Sequence, residues 1–148
     1  MQEINEAALK DVLRYWQALG EYGGLPKATA VDPLDLRAHL GRLSIVETAP
    51  RLEDFRIRLF GTQLTAEFRQ ERTGARFGDL SSVENWELVF TPYLTVCDTR
   101  LPHYQALRPV SGLRAYRGYA RLLLPLAGED LTVQRILCAF AFSSARPG

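Results

Sequence analysis

The sequence predicts an α+β fold: a five-stranded antiparallel sheet, helices inserted between its second and third strands, and an N-terminal helix covering the sheet. Four observations carry that prediction. Residues 54–60 alternate apolar Phe55, Ile57 and Leu59 with charged Arg56 and Arg58, the period of a half-buried strand. At Gly61-Thr62 the period changes, and Leu64 and Phe68 sit four apart, as on a helix. Residues 114–126 and 131–142 are apolar on both faces over much of their length, which places them centrally in a sheet covered on both sides. Residues 6–19 carry Leu9, Val12, Leu13, Trp16 and Leu19 as one stripe of an amphipathic helix.

That first helix has Asn5 as N-cap and Gly20 as its stop. Its stripe, dominated by Trp16, packs on the chain's own sheet or meets a second copy; Leu9, Val12, Leu13 and Trp16 are the dimer-interface candidates. Gly23-Gly24 and Pro26 mark a loop. Asp32 caps a short helix with Pro33 at its first position; Leu36 and Leu40 share a face, Gly41 ends it, and His39 lies on its solvated side. Residues 43–48 form the first strand and 49–53 the turn into the second. Thr62 then caps the short helix, and the strand-to-helix corner can wall a pocket.

Residues 70–78 are polar and turn-rich, with Phe77 and Leu80 anchoring them to the core. Ser81-Ser82-Val83-Glu84 fits a capping box, opening a helix with Trp86, Val89, Phe90, Tyr93, Leu94 and Cys97 on one face. Pro92 predicts a kink or break at 88–91. Residues 103–110 are a strand, and Pro109 within it points to a sheet edge. Gly128-Glu129-Asp130 turns between the last two strands, and 144–148 is a loose tail.

At 148 residues the chain is one domain with room for a genuine core. Eighteen basic residues against seventeen acidic ones, with no basic run, argue against a nucleic-acid partner. No apolar stretch approaches the ~20 residues of a membrane span. The acidic N-terminus lacks the features of a secretory signal, so the expected location is cytoplasmic. Cys97 and Cys138, far apart in apolar surroundings, read as buried free thiols.

The order of elements resembles a PAS domain, and more closely a branch of the PAS superfamily found as small stand-alone bacterial proteins. The matching residues are Trp16, Asp32-Pro33, the run from Asp54 through Arg56, Arg58 and Gly61 to Thr62, Thr73-Gly74, and Arg121 to Leu126. They span nearly the whole chain, and the Phe-Arg-x-Arg-Leu-x-Gly-Thr run and the late Leu-Pro-Leu are the more specific pieces. Where family members often carry Gly-Arg before Thr-Gly and an acid before Arg-x-Leu, this chain has Glu71-Arg72 and Ala120. The resemblance implies a helical extension over 1–42 and a PAS-like domain over 43–143.

PAS domains bind flavin, haem or small metabolites between sheet and helices, or serve as dimerising modules. The flavin photoreceptor motif is absent and residues 81–99 hold no histidine, so flavin and haem are disfavoured, with Cys97 a remote candidate for a haem thiolate. No spacing suggests a metal site or a phosphate loop. The carboxylates Glu67, Glu71, Asp79, Glu84, Glu87 and Asp98 fall on polar faces and caps, which leaves no catalytic constellation. Phe60, Leu64, Phe68, Trp86, Phe90 and Tyr93, with Tyr104 and Leu122 from the sheet, either line a small cavity or fill a plain core. Arg56 and Arg58 share a face, where they are solvated, pair with Glu47 across the hairpin, or present a fork to an anion.

The expected function is therefore a cytoplasmic PAS-like sensor or interaction module without catalysis of its own. It acts as a homodimer through a separate signalling partner, with a small-molecule ligand of unnamed class. The alternatives are a small enzyme or carrier on a cone-like sheet, with an acid in an apolar cavity, and a module that only mediates assembly.

Overall fold

A sheet whose central strands are apolar on both faces must be covered twice, and the chain does this with the segments on either side of its first hairpin. The computed structural model describes residues 3–20, 24–107 and 118–143. Within it, helix α1 (Ala7–Leu19) precedes strands β1 (Leu43–Glu47) and β2 (Arg56–Phe60). Helices α2 (Thr62–Phe68) and α3 (Trp86–Thr99) follow, then strands β3 (His103–Leu107), β4 (Tyr119–Ala127) and β5 (Val133–Phe142). The sheet order is β2-β1-β5-β4-β3 with every pair antiparallel. The α+β layout with helices between the second and third strands is as expected, and β5 lies at the centre. Pro109, residues 114–117 and the tail over 144–148 lie outside the described residues.

Two cores result. On one face Val46, Ile57, Phe60, Leu123, Ile136, Cys138 and Phe140 meet Leu64, Phe77, Val89, Phe90, Tyr93 and Val96 from the middle segment. On the other, Leu43, Leu122, Leu124, Leu126, Leu137 and Ala139 meet Leu9, Val12 and Leu36. Leu9 and Val12 are each 1% exposed against the chain's own sheet, so they are not on the surface a second copy would meet. Leu13 and Trp16 are half-buried, and Trp16 Nε1 donates to the Pro125 carbonyl at 2.8 Å. Trp16→Phe keeps most of the apolar contact but leaves that carbonyl without its donor. The expected loss is about 1–2 kcal/mol in urea unfolding with an unchanged slope; an unchanged midpoint would show that water replaces the bond.

Several local expectations are corrected. The side-chain alternation of β2 is broken by a bulge: Ile45 pairs with Leu59 but Val46 with Ile57, so Arg58 is an extra residue. Leu59 consequently joins the α1-side core, whereas Ile57 and Phe60 stay on the other. Helix α1 starts after Glu6 rather than Asn5, and Gly61 rather than Thr62 is the N-cap of α2, neither with a side-chain cap bond. Asp32 does cap, accepting from the Leu34 amide at 3.0 Å, but the helix it opens is one 3₁₀ turn, Pro33–Leu36, with another at Leu40–Arg42. His39 is not solvated: its side chain is 17% exposed, Nε2 lies 3.8 Å from Asp11 Oδ2, and Nδ1 is buried without a partner.

The Ser81–Glu84 capping box does not form. Ser81 has helical dihedrals (φ −61°, ψ −19°), as the end of a 3₁₀ turn at Phe77–Leu80, whereas an N-cap needs extended backbone. The N-cap of the following helix is Asn85, without a side-chain cap bond, whereas Asp79, accepting from the Arg76 amide at 3.3 Å, caps the 3₁₀ turn itself. Helix α3 begins at Trp86 and runs through Pro92 without the expected break. The carbonyl that Pro92 leaves without its helical donor belongs to Leu88, a residue that is 50% exposed. Beside β2, residues 74–77 run as a ribbon, with Ile57 N–H to Ala75 O at 2.9 Å and Phe77 N–H to Phe55 O at 2.9 Å. That ribbon covers an edge that would otherwise be open, and Phe77 and Leu80 anchor it as expected.

Candidate functional site

Helix α3 lays Val89, Phe90, Tyr93 and Val96 toward the sheet, because three- and four-residue spacing puts them on one side. Phe77 enters beneath them. Its ring centroid lies 4.4 Å from Phe90, 4.8 Å from Tyr93 and 5.7 Å from Phe55, and Trp86 Nε1 donates to the Phe77 carbonyl at 2.9 Å. Here the aromatic residues are packed on each other. The corner residues group separately: Leu64 is wholly buried, and Phe68 sits 6.3 Å from Phe60, 5.2 Å from Tyr119 and 6.0 Å from Phe140. The Arg72 guanidinium lies over Phe68 at 4.9 Å. Between them opens a cleft of about 200 Å³ lined by Phe68, Arg72, Val83, Val89 and Tyr119.

Tyr104 and Leu122 do not join this group. They are neighbours across the β3–β4 ladder and point to the α1 side, where the Tyr104 hydroxyl donates to Glu6 Oε1 at 2.7 Å. Burial, then that carboxylate, pushes the Tyr104 pKa up to about 12. The residues of β4 that do face α3 are Tyr119, Leu123 and, unforeseen, Arg121.

Arg121 is 1% exposed. Its Nη2 donates to Gln105 Oε1 at 2.8 Å, its guanidinium carbon lies 5.3 Å from the Tyr93 ring centroid, and its Nε has no acceptor. His103, two residues from Gln105 on β3, has its Nε2 buried without a partner, and burial followed by the Arg121 charge lowers its pKa. Cys138 Sγ lies 3.6 Å from the Tyr93 hydroxyl. The sequence held one signal for this corner: Arg121 is the sole charged residue between Gly118 and Gly128, in a strand apolar on both faces.

Arg56 and Arg58 are exposed and reach different partners. Arg56 Nη1 donates to the Gly74 carbonyl at 2.6 Å, whereas Arg58 Nε lies 3.5 Å from Glu47 Oε2, across the hairpin. Arg135 approaches the same carboxylate at 3.8 Å.

A PAS domain family model matches residues 4–141. The chain belongs to the PAS domain family. No curated protein matches it. Among solved structures, the PAS chain is similar to a sensory box sensor histidine kinase from Vibrio cholerae, with a TM-score of 0.56 at 12% identity, covering 93% of this chain and 99% of that one. It is also similar to the PAS domain of histidine kinase ThkA, with a TM-score of 0.49 at 13% identity, covering 68% of this chain and 98% of that one.

Two further properties of this PAS domain bear on chemistry. Among the described residues, no group of three or more His, Cys, Asp or Glu is placed to hold a metal ion, and no helix is long and apolar enough to cross a membrane. Both cysteines are free; Cys138 is buried and Cys97 half-buried. Burial pushes the Cys97 thiol up to about 11, with Asp98 adding to it, and the Cys138 thiol up to about 12. A raised pKa keeps the thiol protonated, so at pH 8 only about one Cys97 in a thousand is thiolate. Alkylation of the native protein by iodoacetamide at pH 8 is expected to run on the order of a hundredfold slower than for a free thiol. It should accelerate as pH rises toward 11 and reach both residues in denaturant; rapid native labelling would contradict the burial.

Proposed function

We propose that this PAS domain is a sensory or signalling module that binds a small ligand or a partner protein and carries no catalytic activity of its own. It works as a homodimer and passes its signal to a separate protein. The observation that supports the reading is family membership together with the layout of the α3-facing side. Aromatic residues pack there around Phe77, with a cleft beside Phe68 and a polar corner at Arg121. The cone-like enzyme alternative calls for an acid in an apolar cavity; the polar residues buried among those described are Ser44 and Arg121. Native mass spectrometry of the purified protein tests the proposal: a dimer mass carrying a small molecule released on denaturation is expected. A bare monomer that captures no small molecule and no partner would overturn it.

A further inference from the structure

Arg121 is the largest fully buried side chain, and a guanidinium stays charged at any pH the fold survives. An interior charge is tolerated when it is paired and fully hydrogen-bonded. Here one amide oxygen and the face of one ring stand in for a counter-ion, and no carboxylate among the described residues pairs with Arg121. The register explains the rest of the corner. Gln105 stands opposite Arg121 and His103 opposite Leu123, so all three polar side chains belong to one patch on the α3-facing side. Strand β3 is the sheet edge and His103 and Gln105 are half-buried, which gives the corner a route to solvent.

We propose that this corner is where the domain recognises its ligand, binding a single oxyanion group through Arg121 Nε and Nη and His103 Nε2. One guanidinium beside a neutral imidazole balances one negative charge, and Leu123 and Cys138 alongside are apolar, so the group is a carboxylate on a small organic acid rather than a phosphate dianion. The inference rests on the sensory reading above and deepens it by naming the ligand's class.

The chain has two histidines, and His39 is the internal control, beside Asp11 on the opposite face. The test follows both imidazole C2 protons by NMR while sodium acetate, sodium butyrate or sodium phosphate replaces sodium chloride at constant ionic strength. A saturable shift of His103 by the carboxylates is expected, with His39 unmoved and phosphate at least about tenfold weaker. Arg121→Met should abolish the shift. Gln105→Glu, which sets a carboxylate beside the guanidinium, should abolish it too while raising the melting temperature, and this variant decides the matter if Arg121→Met does not fold. No saturable His103 shift up to about 50 mM of any probe, or an equal shift in a folded variant, overturns the assignment; tighter phosphate than carboxylate binding overturns the carboxylate. If these probes leave His103 unmoved while another compound raises the melting temperature, the corner fails and the sensory reading stands.

Discussion

Phe77→Ala is expected to lower folding stability by about 4 kcal/mol and the melting temperature by on the order of 12 °C. Phe77 has no exposed surface and lies within ring contact of Phe55, Phe90 and Tyr93, so its removal opens a void bounded by three large side chains. Those neighbours collapse poorly. Phe55 is tied to the 74–77 ribbon through its carbonyl, and α3 is held at its start by the Trp86 bond to the Phe77 carbonyl. Phe77→Leu, which fills most of the volume, should cost about 1.5 kcal/mol or less. A loss under about 1.5 kcal/mol for the alanine variant would mean that the aromatic packing around Phe77 is looser than described.

Gly61→Ala is the second large effect, by a different mechanism. The φ of Gly61 is −60°, which alanine adopts freely, so conformational strain is not involved. The obstacle is contact: a Cβ there would lie 2.3 Å from the Gly41 carbonyl oxygen and 2.6 Å from that of Leu40. Both are backbone atoms, and the Gly61 amide is itself bonded to the Leu43 carbonyl at 2.9 Å. Relief therefore requires the strand-to-helix corner to move away from the Leu40–Arg42 turn. The expected cost is about 3 kcal/mol. Gly41→Ala is the control, since the atoms nearest to its Cβ would belong to the flexible Gln63 side chain, the first at 3.2 Å, and it should cost under about 1 kcal/mol. Equal losses in the two variants, by chemical denaturation, would contradict the close approach.

Much of this fold is legible in the sequence, and the reasons for the misses are physical. The change of period at Gly61-Thr62 locates β2 and α2 closely, because alternation with arginines marks the strand and Leu64 with Phe68 marks the helix. Alternation shows which way a strand faces only while one face is polar. Strand β4 is buried along its entire length, so its phase is invisible in the pattern, and a pocket reading that groups Leu122 with the α3 aromatics puts it on the wrong side of the sheet. Arg121 fixes that phase, since it faces Tyr93 and so sends Leu122 to the α1 side with Tyr104. The bulge at Arg58 depends on pairing with β1, which no local pattern reports. The Ser-x-x-Glu pattern at residues 81–84 failed because the turn ahead of it already holds Ser81 helical.

The central proposal is that this PAS domain binds a small molecule. Thermal unfolding of the intact chain against a panel of small organic acids, nucleotides and amino acids tests that claim most directly. Binding to the folded form alone should raise the melting point with the logarithm of concentration, by roughly 8 °C at a hundredfold excess over the dissociation constant. A melting temperature unmoved by every compound would contradict it.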